Sequence, residues 1–427
     1  MTPDMTTAPA APTIANPRRV IAAASIGNAL EWFDILVYGF FAATISRAFF
    51  PNADPTVSLL LTLGTFAVAF VVRPVGALVL GAYADRVGRK AALMVSIRLM
   101  MVGTLLIAIM PPYAQIGLVA PIAILAARLI QGFSAGGEFG SATAFLVEHN
   151  PERRGFMASW QFASQGLATL VASLFGTVLT STLSDADLES WGWRIPFFFG
   201  LLIGPVGYYI RRYVDEAGEF VASAGTERTP VRETFRRHPG RMVVAIGALA
   251  VSTAISYLIT YMPTFAVKDL HLPASTGFAS TLLTGIILTG LTPVVGHLSD
   301  RFGRTRIMLT FGVAILVLIY PSFAFLVAAP QFAVIMAVMF LVGVLKACYF
   351  APLPALMADL FPVTSRATGM AVSYNIGVML FGGTTPLVIA WLVDATGDKL
   401  ALTYYLMFLA VLSLVSLVVA RRRLGVT

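Results

Sequence analysis

The residues of this 427-residue sequence that could do chemistry are six ionisable side chains set inside long apolar runs. An ionisable group in such surroundings is costly, so we expect each one to pair with another group or to face a polar cavity. A carboxyl group placed there can take up and release a proton, whereas a guanidinium or ammonium group can hold an anion. The six are Glu31, Asp34, Arg73, Arg128, Glu138 and Lys346.

The carboxyl groups are candidates for proton coupling. Glu31 and Asp34 are three residues apart, so they share one face of a helix. Two carboxylates close together in a low dielectric resist double ionisation, which favours proton uptake by one of them. Glu138 is either a second proton site or the partner of Arg128. The alternative is that one acid is permanently paired with an arginine and only holds helices together.

The three cations are candidates for binding an anionic substrate. Arg73 precedes Pro74, and proline frees a backbone carbonyl beside a guanidinium that could grip a carboxylate bidentately. Arg128 shares a helical arc with Glu138, and Lys346 would gain its missing counter-charge from an anion. The alternative for Arg73 is a fixed ion pair. For Lys346 the alternatives are snorkelling to the membrane surface and pairing across the bundle.

Neutral polar side chains could line the same pathway, although hydrogen bonds between helices would explain each of them equally well. Those predicted to bind substrate are Tyr349, Gln161 and Asn375. The sequence has four scattered histidines, no phosphate-binding G-x4-G-K-[ST] loop and no arrangement of a nucleophile with a base. It therefore predicts no metal, no cofactor and no enzyme activity.

The elements that must position these residues are predicted to be membrane-spanning helices. The chain is 58% hydrophobic and 12% charged, with a mean hydropathy of +0.83, whereas soluble proteins carry roughly a quarter charged residues. Apolar runs of the length that crosses a bilayer predict an all-α membrane protein in contact with lipid. The twelve predicted spans are 20–46, 57–84, 91–111, 116–147, 155–182, 194–212, 242–266, 274–299, 305–328, 331–360, 367–393 and 401–420.

A charged turn occurs twice, as GAYADRVGRK over 81–90 and as GHLSDRFGRT over 296–305. The copies are 215 residues apart, about half the chain, which predicts two similar halves. The expected domains are a disordered N-terminus (1–19), two six-helix bundles (20–212 and 242–420), a linker (213–241) and a tail (421–427). The turns are predicted to gate one side through Gly81, Asp85, Arg86, Gly88, Arg89, Asp300, Arg301, Gly303 and Arg304.

The basic residues predict the orientation of the chain. With twelve spans, 21 of the 29 Lys and Arg fall on the side that holds both termini. The excess places both termini in the cytoplasm. It also explains the net charge of +8 as a topology signal, so no nucleic-acid partner is expected.

The duplicated turn resembles the G-x3-D-R-x-G-R-K signature of the major facilitator superfamily. Within that superfamily, NALEWFDILVYG (28–39), FVVRPVGALVLG (70–81) and RLIQGFSAGGEFG (128–140) are similar to the metabolite:proton symporters. WGWRIPFFFG (191–200) and SYNIGVMLFGGTTP (373–386) extend the likeness, which is greatest to citrate and tricarballylate symporters. The resemblance implies two pseudo-symmetric six-helix bundles.

The resemblance implies alternating-access symport of a small carboxylate, citrate or tricarballylate first, with protons across the bacterial inner membrane. It leaves open 2-oxoglutarate or another dicarboxylate, shikimate or a zwitterionic osmolyte as cargo, and sodium as the coupling ion. An exporter of lipophilic drugs ranks lower, because the acids and bases inside the spans argue against it. The expected partners are a small anionic metabolite and the lipid bilayer, and the chain is expected to act as a monomer.

Overall fold

The structure is a computed structural model, and all regular structure in the residues it describes is helical. The residues Gly88 and Glu138, the segment 1–16 and most of the predicted linker lie outside the described part, as do the side chains of Asp85 and Arg89. The described ranges are 17–87, 89–136, 139, 143, 146–147, 152–202, 204–205 and 236–426.

The helices follow the apolar runs of the sequence, because a helix satisfies its own backbone hydrogen bonds where water is absent. Two short 3₁₀ turns, Gly192–Arg194 and Val363–Ser365, join neighbouring helices. The α-helices are α1 (Pro17–Phe40), α2 (Ala42–Phe49), α3 (Pro55–Val87), α4 (Arg89–Ile109), α5 (Tyr113–Ile116), α6 (Val119–Ser134), α7 (Arg154–Thr182), α8 (Asp185–Ser190), α9 (Ile195–Gly200), α10 (Pro239–Lys268), α11 (Ala274–Phe302), α12 (Arg304–Ala328), α13 (Phe332–Phe350), α14 (Leu353–Leu360), α15 (Arg366–Phe381), α16 (Thr385–Thr396) and α17 (Ala401–Arg423).

Eight helical segments of the described chain are long and apolar enough to cross a membrane. The bent pair α1–α2 adds a ninth, and two shorter apolar helices lie at Met94–Ile109 and Val119–Ser134. The predicted sixth span falls partly outside the described residues. This inventory is consistent with the twelve predicted spans and with the predicted all-α fold.

Several predicted spans are broken rather than continuous. The first bends by 63° between α1 and α2, at Phe41. The tenth is split into α13 and α14 just before Leu353, where Pro352 cannot donate to the helical ladder. The eleventh is split between α15 and α16 at a glycine pair. Such breaks are tolerated inside a bundle because neighbouring helices satisfy the freed backbone groups.

The two bundles meet along α7 and α11, which pack against each other over most of their length. Gly166 on α7 and Gly285 on α11 allow this close approach. A Cβ at Gly166 would lie 2.8 Å from the backbone nitrogen of Thr289, and one at Gly285 would lie 2.6 Å from the Cα of Leu170. Small residues at a helix interface let two backbones approach closely.

Contacts between the bundles close both ends of the interface. We call the end that carries the two duplicated turns the turn end. There, Asp300 of α11 contacts the first residues of α7. At the opposite end, Phe278 of α11 packs against Phe40 and Phe41, with ring centroids 6.0 and 5.3 Å apart. The two bundles therefore contact each other at both ends of the interface.

Candidate functional site

The candidate site lies at the middle of the bundle, where α1, α3 and α6 meet. Arg73 and Arg128 are both buried there and both line one narrow cleft, with Ile35, Phe70 and Gln131 as further walls. The cleft is too tight to hold a water molecule in this structure. Two buried guanidinium groups on one cleft form a positively charged centre that could attract an anion.

Arg128 is held between two aromatic rings. Its guanidinium carbon lies 4.4 Å from the centroid of the Tyr38 ring and 5.1 Å from that of Phe66. Its Nη1 donates to Oε1 of Gln131 over 2.7 Å. Its Nε and Nη2 have no hydrogen-bond partner among the described residues. The side chain is thus fixed in place while part of its donor capacity remains unused.

Arg73 is also stacked on aromatic rings. Its guanidinium carbon lies 4.5 Å from the centroid of the Phe70 ring and 5.3 Å from that of Trp32. Tyr257 of α10 packs edge-on against Phe70, with ring centroids 5.2 Å apart. The Nε of Arg73 and the hydroxyl of Tyr257 lack hydrogen-bond partners within the described chain. Cation–π contacts with these rings offset part of the cost of burying the charge.

A chain of three hydrogen bonds joins Arg128 to Asp34, and we call it the relay. Arg128 donates to Gln131, the Nε2 of Gln131 donates to Oγ1 of Thr104 over 2.9 Å, and that hydroxyl donates to Oδ2 of Asp34 over 2.9 Å. All four side chains are buried. Oδ1 of Asp34 has no partner among the described residues and faces Gly200. The relay connects a cation to an acid without a direct ion pair.

The remaining predicted site residues are placed less centrally. Glu31 is partly buried and takes part in an interaction. Gln161 and Asn28 are joined by two hydrogen bonds. The Nδ2 of Asn28 donates to the backbone oxygen of Gln161 over 2.9 Å, and the side chain of Gln161 donates to that of Asn28. The hydroxyl of Tyr349 donates to the backbone oxygen of Ala248 over 2.8 Å, inside the second bundle. Gln161 and Tyr349 therefore bond within their own bundles, away from the cleft.

Lys346 and Asn375 lie where the bundles touch. The Nδ2 of Asn375 donates to the backbone oxygen of Gly136 over 2.8 Å, which joins α15 to the end of α6. Lys346 is buried, and its Nζ lies 4.8 Å from the centroid of the Phe350 ring. Among the described residues it has no hydrogen-bond acceptor and no acidic partner. An uncompensated ammonium group there would be stabilised by an anion.

Stacked aromatic rings lie between the cleft and the turn end. Phe139 stacks on Tyr374, and Phe162 stacks on Phe350, each pair with ring centroids 3.5 Å apart. Phe139 and Phe162 are themselves 5.8 Å apart. The stack joins the two bundles, because Tyr374 and Phe350 of the second bundle pack on Phe139 and Phe162 of the first.

The turn end is held by two carboxylates. Asp300 accepts from the backbone nitrogens of Gly155 and Phe156, over 2.7 and 3.0 Å, at the N-terminus of α7. Asp359 accepts from Arg304 and, over 3.4 Å, from Arg154. A carboxylate at a helix N-terminus is stabilised by the helix dipole and the free N–H groups. We call these contacts the turn-end latch.

The other predicted gate residues contribute in different ways. Gly303 has a φ of 88°, which suits glycine and lets the chain turn sharply between α11 and α12. Arg86 and Arg301 are exposed, and Gly81 is exposed with open space around it. Because Gly88 and the side chains of Asp85 and Arg89 lie outside the described part, only the second copy of the turn can be described as a latch.

Sequence reasoning missed Thr104 and the aromatic walls Trp32, Phe66 and Phe70. A lone threonine in an apolar run carries little signal, because its hydroxyl usually bonds to its own helix. Aromatic residues in such a run are indistinguishable from ordinary core. The stack of rings between the bundles was also not predicted.

Comparison with known proteins places this geometry in context. The sequence profile of the Major Facilitator Superfamily matches residues 24–329 and 287–426. The chain is 38% identical to the citrate-proton symporter of Klebsiella pneumoniae, over 94% of this chain and 91% of that protein. It is 36% identical to the proline/betaine transporter of Salmonella typhimurium, over 93% and 82% of the two chains.

Among solved structures, the xylose transporter XylE from E. coli, in a partially occluded inward-open conformation, superposes with a TM-score of 0.75. The alignment covers 96% of this chain and 98% of that one, at 14% sequence identity. At that identity the likeness shows a common fold and says nothing about cargo.

Proposed function

Because this chain belongs to the major facilitator superfamily, a family of multi-pass membrane transporters, we propose that it carries a small carboxylate together with protons. The observation that supports this is the pair Arg73 and Arg128, which are buried at one cleft with N–H groups that no described residue accepts. An unused buried donor costs about 1–3 kcal/mol, and more when it is charged. A substrate carboxylate would satisfy these donors.

Citrate or tricarballylate is the first candidate substrate. A tricarboxylate could engage several cations at once. Three buried cations lie within the predicted spans: Arg73, Arg128 and Lys346. The relatives named as citrate-proton symporters, at 38–39% identity, support the same class. A dicarboxylate such as 2-oxoglutarate, or shikimate, would use fewer of these contacts.

A zwitterionic osmolyte is the second candidate, and a separate observation favours it. The rings of Trp32 and Phe70 face the guanidinium of Arg73, and the Tyr257 ring packs against both of them. Aromatic faces bind quaternary ammonium groups well, so betaine could take the place of that guanidinium while Arg128 holds its carboxylate. Relatives named as proline/betaine transporters are 36% identical to this chain.

Proton coupling would run through the relay. A substrate carboxylate bound to Arg128 competes with Gln131 for the guanidinium, and a released Gln131 no longer holds Thr104 in place. The donor to Asp34 is then weakened, which changes how readily that carboxyl group holds a proton. Glu31 and Glu138 would be further proton-loading groups, and sodium remains an alternative coupling ion.

Alternating access would be produced by rocking of the two bundles, 20–212 and 242–420, about the central site, with 213–241 as their linker. Release of the turn-end latch and separation of the stacked rings would open the site towards the turn end. The excess of basic residues supports a cytoplasmic location for that end and for both termini, in a bacterial inner membrane. The chain would act as a monomer.

A substrate panel in proteoliposomes tests the proposal. Uptake of labelled citrate, tricarballylate, 2-oxoglutarate, shikimate and betaine would be measured with and without imposed proton and sodium gradients. We expect uptake of one carboxylated substrate to be driven by a proton gradient, and Arg128→Ala to abolish it. The matched control is Arg98→Ala, which removes an exposed arginine from α4. Uptake that does not depend on the pH gradient, or that is unchanged in Arg128→Ala, would contradict the proposal.

A further inference from the structure

A second charged cleft lies at the turn end, away from the central site. It is formed where α10 begins and α17 ends, and its volume is about 270 Å³. Four basic side chains line it: Arg237, His238, Arg241 and Arg423. The described residues that line the cleft include no acid.

We propose that this cleft binds the headgroup of an anionic phospholipid. The first support is its depth in the membrane. Both α10 and α17 are long and apolar enough to span a bilayer. The cleft lies at the first residue of α10, Pro239, and at the last residue of α17, Arg423. For helices that span a bilayer, this is the level of the lipid headgroups. Basic pockets between helices at this level bind acidic headgroups.

The second support is the division of the cleft into a polar and an apolar side. Arg237 and Arg423 are exposed, whereas Val244 is buried and Val419 is partly buried on the walls. A free anion needs only the basic side. A phospholipid would use both, with its phosphate among the arginines and its glycerol and first acyl carbons against the valines.

The third support is the start of α10. Pro239 is its first residue, and the backbone nitrogens of Gly240 and Arg241 are in the first turn, where a helix has no internal acceptor for its N–H groups. These donors and the positive end of the helix dipole favour a phosphate at the same place. Arg241 is oriented by donating its Nη1 to the backbone oxygen of Leu360 over 2.8 Å. The site therefore combines backbone donors and an oriented Arg241 with exposed basic side chains.

Occupancy of this cleft would bear on transport, because it touches the turn end of the second bundle. Arg241 links α10 to the end of α14, next to Asp359 of the turn-end latch. The C-terminal segment that follows α17 is joined to the duplicated turn, since Thr305 donates to the backbone oxygen of Val426 over 2.9 Å. A bound headgroup would stabilise both hydrogen bonds, that of Arg241 to Leu360 and that of Thr305 to Val426.

The test is lipid retention by the full-length protein. Purified protein would be placed in nanodiscs of phosphatidylcholine with increasing phosphatidylglycerol, and bound phosphatidylglycerol would be counted by native mass spectrometry. Arg423→Gln should weaken retention roughly fivefold, from about 1 kcal/mol per basic side chain near an anionic lipid. Arg421→Gln is the matched control: it removes the same charge two residues earlier, from a residue that does not line the cleft.

Three results would overturn the proposal. Equal losses in Arg423→Gln and Arg421→Gln would show a general surface-charge effect. Retention of phosphatidylcholine equal to that of phosphatidylglycerol would show that the charges are not used. Displacement of the lipid by millimolar inorganic phosphate would show a site for a free anion. If Arg423→Gln fails to fold, Arg237→Gln provides the same comparison, and Arg423→Lys, which keeps the charge, should retain the lipid.

Discussion

Replacing Thr104 with valine tests the relay, because the substitution keeps the shape of the side chain and removes only its hydroxyl. That hydroxyl donates to Oδ2 of Asp34 and accepts from Gln131, each over 2.9 Å. In Thr104→Val, the carboxyl group of Asp34 loses its one donor among the described residues. The ionised form of Asp34 depends on that donor more than the protonated form does.

The size of the effect follows from the value of such a bond. A hydrogen bond to a charged group contributes about 1.5–3 kcal/mol, and about 1.4 kcal/mol corresponds to one pH unit. We therefore expect the pH at which uptake is half-maximal to move upward by about one to two units in Thr104→Val. Because Gln131 also loses its acceptor, substrate affinity at Arg128 should change together with the pH profile.

The assay is initial uptake of the transported substrate by proteoliposomes between about pH 5 and pH 9, with the maximal rate and the KM measured at each pH. Thr62→Val is the matched control, because the hydroxyl of Thr62 is buried and bonds only to its own helix, at Ser58. Thr104→Ser should restore most of the wild-type profile. A lower uptake rate in Thr104→Val with an unchanged pH profile would refute the relay and leave Thr104 a packing residue.

Three further predictions concern other parts of the chain. Asp300→Asn should weaken the turn-end latch, so that hydrogen exchange at the backbone amides of Gly155 and Phe156 becomes at least several times faster. Arg128→Lys keeps the charge but loses the planar stacking and the fork of donors, so uptake should fall by at least about tenfold. Burial raises the pKa of the Asp269 carboxyl group, against the opposing effect of nearby cations. A raised pKa means that this group destabilises the folded protein as pH rises above about 4. Asp269→Asn should therefore raise the thermal unfolding midpoint at neutral pH and flatten its decline with pH.

Each of these predictions has a control outside the contact that it tests. Asp398→Asn removes the same charge at the opposite end and should leave exchange at α7 unchanged. Arg98→Lys changes an exposed arginine and should not alter uptake. Asp185→Asn removes an exposed acid and should not change the pH dependence of unfolding. Equal effects in control and test variants would contradict the reasoning in each case.

Much of the fold could be predicted from the sequence. The apolar runs and the duplicated turn predicted an all-α membrane protein of the major facilitator superfamily, and both predictions are confirmed. The breaks within spans were not predicted, because proline and glycine occur inside continuous spans as well. The bend at Phe41 has neither residue at its vertex, so only the surrounding packing could reveal it.

The site was predicted only in part. The sequence singled out Arg73, Arg128 and Asp34 because a buried charge is costly and therefore conspicuous. It could not show that Arg128 reaches Asp34 through Gln131 and Thr104, since these four residues come from three helices. Their roles in transport stay predictions.

The sequence by itself determined the elements and their environment, because hydrophobicity, length and charge act locally along each helix. The duplicated turn also indicated two similar halves, because each copy repeats the same local chemistry. Only the tertiary structure decided which polar groups face one another: the relay, the aromatic walls of Arg73 and Arg128, the latch at Asp300 and the basic cleft at Arg423. These depend on contacts between residues far apart in the chain, whose distances and orientations are set by how the helices pack.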